Sequence, residues 1–412
     1  MLRSLFSGIS GLKQHQTMMD VTGNNIANVN TAGFKSSSTV FEDTLSQMVR
    51  AAGAPQGGNG GTNPAQVGLG VRLGGIATNF GQGSAQSTGR STDIMIQGDG
   101  FFGVRSGGET LFTRNGSFSF DQDGRLVTNS GGVVQGWTAV DGAVNTNGAI
   151  GDIQLPTGTL LPPKATGAAS LGGNLPAGAA DGTQITGSYK MFDAQGKEHT
   201  LAYTLTKVDS TGLANDRWTL ATTVDGTAAT ASTAAFEFSK ADGKLVTPPA
   251  TGTPATQTFS VTAPWGDVNI DVASVSSFGG ENTLAAGTQD GSSMGSLQAF
   301  TISPDGTLVG VFSNGLKQPL AQLSLASFNN PAGLEKVGGS MFRNSVNSGN
   351  PVMGTAGGAG RGTLQNNTLE MSNVDLAAEF TNLIVAQRGF QANSKVITTS
   401  DEILNDLVNL KR

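Results

Sequence analysis

The chain has 412 residues, a formal net charge of −6 from 24 basic and 30 acidic side chains, and no cysteine. That length accommodates two or more domains of about 100–200 residues. The absence of any basic block removes the electrostatic footprint of nucleic-acid binding, and the lack of cysteine excludes disulfides, cysteine-ligated zinc and thiol catalysis together.

From Leu2 the apolar positions step by three and four through Leu5, Ile9 and Leu12, then Gln16, Met19, Gly23 and Ile26. This predicts an amphipathic helix with a heptad seam weakened at Gln16 and Gly23. Residues 1–25 lack the charged, apolar and small-residue layout of a secretory signal peptide. No run approaches the roughly 18–20 apolar residues of a membrane-spanning helix, so no membrane insertion is expected. The helix runs into GNNIANVNTAGFK, residues 23–35, where Asn24, Asn25, Asn28 and Asn30 precede Gly33 and Phe34. Asparagine and glycine tolerate turn and left-handed conformations and hydrogen-bond nearby backbone, so this stretch is suited to ending the helix with one defined exit.

Residues 53–64, GAPQGGNGGTNP, read as a flexible linker. Beyond them the pattern changes to β. Asn-Gly pairs at 115–116, 147–148 and 314–315 and many Asp-Gly pairs supply the positive φ angles of tight turns. LFTRNGSFSF, 111–120, predicts a hairpin turning at Asn115–Gly116. EHTLAYTLTKV, 198–208, alternates with His199, Leu201, Tyr203 and Leu205 on one face. Segments 155–185 and 225–258, rich in Thr, Ala, Gly and Pro, bracket that strand as the walls of an inserted domain would.

Near the other end, Ser372 and Asp375 form a plausible capping pair. Leu376, Phe380, Leu383, Phe390, Ile397, Leu404 and Val408 then repeat the three-four rhythm, with Gln387, Ser394 and Asp401 in the remaining seam positions. A second stripe of Val396, Ile403, Leu407 and Leu410 widens the apolar face. Neither terminal helix can bury its own stripe, so each needs a partner. No other strong helix lies between about 50 and 370, which favours pairing of the two ends and self-assembly.

The expected fold is mainly β with terminal α-helices. Two β-sandwich- or barrel-like domains, the second inserted in the first, join N- and C-terminal helices that pair as a coiled-coil-like inner domain.

Catalytic chemistry is missing. Before Gly196-Lys197 the position five residues earlier, where a phosphate loop needs glycine, is Met191, and the residue after the pair is Glu198, so the motif fails; GLGVRLGG at 68–75 lacks dinucleotide spacing. Asp121, Asp123 and Gly124 suit a hairpin turn better than a calcium loop. His15 and His199 have no nucleophile or ligand at a known spacing. No catalytic residue, cofactor site or metal site is assigned, and an enzyme is not expected. A secreted β-rich adhesin or surface-layer subunit would account for the middle of the chain but not for its matched end helices.

SGISGLKQHQTMMDVTGNNIANVNTAGFK, 7–35, and SNVDLAAEFTNLIVAQRGFQANSKVITTSDEILNDLVNL, 372–410, resemble the paired end signatures of the bacterial flagellar axial proteins. STDIMIQGDGFFGV, 91–104, and FTRNGSFSFDQDGRLV, 112–127, are similar to the first β domain of the hook and distal rod members. MFDAQGKEHTLAYTLTK, 191–207, and LASFNNPAGLEKVGGSMFRNS, 325–345, resemble hook segments, whereas the insertion near 46–66 resembles one found in distal rod members. The hook branch is favoured because distal rod members lack a second large β domain. The resemblance implies a terminal helical core (1–30 with 372–412), a connecting region (31–72 with 355–371), a first β domain (73–155 with 291–354) and an inserted outer domain (156–290). It implies a homopolymer forming a curved, hollow joint outside the cell between rod and filament, exported by the flagellar type III apparatus without a cleaved signal. Its implied neighbours are the distal rod protein, the hook cap and the hook–filament junction protein. Leu5, Ile9, Leu12, Met19, Ile26, Phe380, Leu383, Phe390, Ile397 and Leu404 would carry assembly, and the Asn24–Phe34 stretch would hand the helices over to the β domains.

Overall fold

The computed structural model describes residues 2–55, 60–140, 142–155, 160–233, 235–248 and 257–409. Leu410, and parts of the 53–64 and 225–258 stretches, fall outside them, as do the side chains of Leu407 and Val408. The chain divides into one compact unit of Met1–Thr157, Phe300–Gly310 and Gln318–Arg412 and another of Gly158–Ala299 and Val311–Lys317.

In the first unit, helix α1 (Leu2–Ala27) packs on helix α2 (Leu376–Asn409). With 34 residues, α2 is about 51 Å long. Asp375 caps it, its Oδ1 accepting from the Ala377 and Ala378 amides at 2.9 and 3.3 Å. Ser372 does not take part, because its hydroxyl accepts from Val374 three residues too early. The helices run antiparallel: Gly8 faces Asn393, Val396 and Ile397, His15 lies against Gly389, and Asn25 bonds Glu379.

Small side chains make that approach close. A Cβ at Gly11 would stand 2.8 Å from Asn393 Oδ1, one at Gly389 would overlap the His15 ring, and Ala386 is fully buried. The seam residues Leu5, Leu12, Met19, Ile26, Leu383, Phe390, Ile397 and Leu404 are half-buried, while Ile9 and Phe380 are 46% and 50% exposed.

The expected linker flanks are strands. Strand β1 (Ser37–Asp43) is separated along the chain from β4 (Val71–Thr78), its antiparallel partner, by β2 (Ser46–Arg50) and β3 (Ala65–Gly68), which pair with each other. A bridge between Gly53 and Thr62 extends this two-stranded arm. Its base rests on α1, where Ser10 Oγ accepts from the Val71 amide at 3.2 Å and the His15 ring meets Phe41 edge-on. Every residue of β2 and β3 is exposed.

The β body of this unit centres on Phe101–Ser106, which pairs with Glu109–Thr113, Val133–Val140 and Leu325–Ser327. Phe101, Phe112, Phe328 and Phe342 meet edge-on in its core, with Phe80 packed against them. The hairpin expected over 111–120 does not form. Glu109–Thr113 pairs with the strand before it and Phe118–Phe120 with Leu126–Thr128, so the chain crosses over at Asn115–Gly116. There the Gly116 carbonyl accepts from the Ile94 amide, and the site is too tight for a Cβ. The returning chain pairs with the outgoing one, Thr363–Asn366 with Ile94–Gln97 and Thr368–Glu370 with Ala85–Ser87.

Two sheets enclose the core of the described part of the second unit. One runs Gln184–Phe192, Glu198–Val208, Asn215–Val224, Ala235–Ser239 and Leu245–Thr247, all antiparallel. The other orders Thr258–Ala263, Gly266–Ser276, Ala168–Asn174 and Ala285–Gln289. Leu201, Tyr203 and Leu205 alternate into a core with Trp218, Phe236, Phe238 and Phe259. His199, on the same face, stacks on Trp265 at 4.5 Å and lies between Asp225 (2.6 Å) and Asp193 (3.3 Å).

Candidate assembly site

The asparagine stretch forms later in the helix than its sequence suggests. Asn24 and Asn25 lie inside α1, which ends at Ala27. Asn28 closes it: both its backbone amide and Nδ2 donate to the Asn24 carbonyl, at 3.2 and 2.9 Å. Its Oδ1 then accepts from the Thr31 hydroxyl. This satisfies a carbonyl that a helix end leaves open. Asn30 is exposed and bonds no described residue through its side chain.

Asn25, 1% exposed, works across elements. Its Nδ2 donates to the Ser37 carbonyl (2.7 Å) and to Glu379 Oε1 (2.9 Å), and its Oδ1 accepts from the Ser37 amide (3.0 Å). One amide thus ties α1 to the first residue of β1 and to the first turns of α2. Gly33 has φ +69° and donates its amide to the Glu370 carbonyl, and Asn115 backbone leaves no space for a side chain there. The Phe34 ring lies under Lys336 Nζ at 5.1 Å, and that ammonium reaches the Lys35 carbonyl and the Ser37 hydroxyl.

Below this exit sits a charge cluster that the sequence reading missed. Lys35 Nζ is 2.6 Å from Glu370 Oε1 and 2.8 Å from the Gly81 carbonyl. Arg114 lies 3.5 Å from the other Glu370 oxygen and donates to the Gly98 carbonyl. The Gly83 amide also donates to Glu370. Burial pulls the Lys35 ammonium below its usual range against the hydrogen bond it donates to Glu370, and burial acts likewise on Arg114. Asn373 adds a second clasp, accepting from the Ser36 amide and donating to the Asn79 and Gly81 carbonyls. In a chain this poor in charge, a lysine directly after Gly33–Phe34 and an isolated glutamate before α2 were the available signals.

Asn24, Asn28, Phe34 and Lys336 line a cleft of about 300 Å³ that offers neither paired acids nor a nucleophile beside a base. Among the described residues no three His, Asp or Glu side chains gather as a metal site. No helix among the described residues is long and apolar enough to cross a membrane. Among the described side chains of the two helices, the large apolar ones left open are Phe6 and Ile9 on α1 and Leu376, Phe380, Ile384, Val385, Val396 and Ile403 on α2.

Comparison with known proteins identifies the family. The flagellar hook protein FlgE of Treponema pallidum is 38% identical over 466 aligned positions, covering 100% of both chains. The chain belongs to the flagellar hook and rod protein family. Its role is that of a structural subunit of the hook, not an enzyme, and it assembles as a polymer within the flagellum. FlgE of Escherichia coli is 36% identical over 98% of each chain, and the basal-body rod protein FlgG of Bacillus subtilis is 33% identical over 100% of each. Family models match in chain order: flagella basal body rod protein at 5–35, hook protein FlgE/F/G D1 domain at 95–169, basal body protein FlaE D2 domain at 174–292, and basal body rod FlgEFG protein C-terminal at 365–410. The crystal structure of Helicobacter pylori hook protein FlgE2 superposes with a TM-score of 0.55 at 13% identity, over 69% of this chain and 100% of that one. That likeness concerns the fold.

Proposed function

We propose that the subunit polymerises into a curved hollow tube that transmits torque from rod to filament as a universal joint, with the terminal helices forming its inner wall. The observation that carries this reading is the apolar surface left open on α1, α2 and the β2–β3 arm. Leu45 is 85% exposed and Leu69 40% exposed at the root of that arm, and Val67 is exposed within it. A two-stranded ribbon of this kind is marginal alone in water, and stripes of this width mark association surfaces. Repeated head-to-tail contacts between copies would cover both and produce a helical polymer.

In this reading Ile9 and Phe380 belong to contacts between copies. Leu5, Leu12, Met19, Ile26, Leu383, Phe390, Ile397 and Leu404 serve both the pairing within one chain and the packing between chains. Asn25, Asn28 and Gly33 fix the angle at which the β body leaves the helices. The distal rod protein, hook cap and hook–filament junction protein would meet the polymer at its ends, and the flagellar type III apparatus would export it. A cysteine-free chain suits that passage, having nothing to cross-link.

Phe380→Asp tests the reading, since an exposed position leaves the monomer folded. Purified variant should show native circular dichroism and form no tubes by electron microscopy. Normal tubes would overturn the assignment. Antibody against residues 156–290 should label the curved segment outside the outermost ring of isolated basal bodies; label on the straight rod would move the chain to the rod branch.

A further inference from the structure

Asn115–Gly116, Asn147–Gly148 and Asn314–Gly315 share one latent reaction and differ in how the fold holds them. The glycine nitrogen attacks the asparagine side-chain carbonyl carbon, closing a five-membered imide as the C–N bond to the side-chain nitrogen breaks and ammonia leaves. Water then opens the imide at either carbonyl, giving aspartate or its β-linked isomer. Glycine favours the attack because no Cβ obstructs its nitrogen or restricts the backbone. The reacting atoms must first reach an attack geometry, so anything that pins the amide or the glycine slows the step.

Two of the three pairs are pinned. At Asn115 the Oδ1 accepts from the Ser117 amide at 3.0 Å, and Gly116 is buried with its carbonyl bonded to Ile94. The Asn314 amide is tied at both ends, Nδ2 donating to the Ser293 carbonyl (2.8 Å) and Oδ1 accepting from Leu316 (3.1 Å). Asn147 differs. It and Gly148 are exposed and its side-chain amide bonds no described residue, so that although the backbone is held by the Asn147 amide on Asn145 Oδ1, the Gly148 amide on the Asn145 carbonyl and the Gly148 carbonyl on Trp137, the reacting side chain is free to turn. A fourth pair, Asn59–Gly60, has its asparagine outside the described residues.

We propose that Asn147 is a site of spontaneous deamidation in the folded subunit, and that the fold protects Asn115 and Asn314. Each event adds one negative charge to the loop after Val133–Val140. The β-linked product also lengthens the main chain by one methylene just before Gly148, whose carbonyl accepts from the Nε1 of buried Trp137 at 3.1 Å. The modification therefore falls next to a residue that holds a buried tryptophan.

The test incubates the full-length protein at mildly alkaline pH, natively and in concentrated urea, and follows the three asparagines by peptide mass mapping. In urea they should convert at comparable rates. Natively Asn147 should lead the other two by about tenfold or more, the rate ratio of a barrier difference near 1.4 kcal/mol. Equal native rates, or a lead by Asn115 or Asn314, would overturn the proposal. Gly148→Ala should slow conversion at 147 alone.

Discussion

Lys35 and Glu370 stand 335 positions apart in the chain and 2.6 Å apart in the fold, with both side chains fully buried. The pair fastens the segment leaving α1 to the segment entering α2. Its geometry makes it a lock: Glu370 is the counter-charge of two buried cations, Lys35 and Arg114, and neither is tolerable there without it.

Removing the glutamate alone should therefore cost more than removing it together with Lys35. Glu370→Gln, which strands both Lys35 and Arg114, should lower unfolding stability by about 3–5 kcal/mol, the range for orphaning a buried charge, and Lys35→Met should cost less because Arg114 still faces Glu370. Lys35→Met with Glu370→Met should recover part of that loss, limited by Arg114, which would lose its counter-charge. A double-mutant cycle in urea measures the coupling, and additive losses would contradict the lock.

Asn25→Leu removes three hydrogen bonds and strands both backbone groups of Ser37. A loss of about 1–3 kcal/mol is expected for unsatisfied buried groups. Amide exchange at Ser37 should speed up while protection in the Phe101 core stays. Paired with Asn28→Leu, it should abolish tube formation and leave the β units folded; normal tubes from the double variant would remove the exit role from these residues.

Glycines on α1 and α2 should divide by face. Gly389→Ala drives a methyl into the His15 ring, so helix content should fall, and His15→Ala should restore it. Gly23→Ala meets nothing within 4 Å and should stabilise α1 by up to about 1 kcal/mol through helix propensity. Circular dichroism of the monomer separates the two outcomes.

The second unit should respond to pH through His199. Its hydrogen bond to Asp225, with a further one to Asp193, raises the imidazole above its usual range, against burial and the nearby Lys197. The folded state holds this proton more tightly than the unfolded chain, so the stabilisation is complete below about pH 6.5 and is lost as pH rises through the higher folded value. Asp225 is held below the carboxylate range first by the Thr200 amide and then by His199, and Asp193 first by the Lys197 amide. Their contribution is complete above about pH 4 and is lost as pH falls through the lowered values. Thermal melts across pH should peak between these limits, and His199→Gln should flatten the alkaline limb. An unchanged alkaline limb in that variant would show the triad to be thermodynamically silent.

Elements whose cause is local are legible in the residues alone. Leu5, Leu12, Leu383 and Phe390 recur at a period that only a helix can gather on one side, and Leu201, Tyr203 and Leu205 alternate as a half-buried strand must. Tertiary structure decided what depends on distant segments meeting. Asn115–Gly116 carries a hairpin signal, yet Ile94 competes for the Gly116 carbonyl and the chain crosses over. The helices touch through Gly8, Gly11, Ala386 and Gly389, residues silent in a hydrophobic periodicity, because packing selects for space as well as for apolarity. Lys35, Glu370 and Arg114 became a site only once the fold excluded water from all three, for a charge has no fixed cost until its surroundings are known.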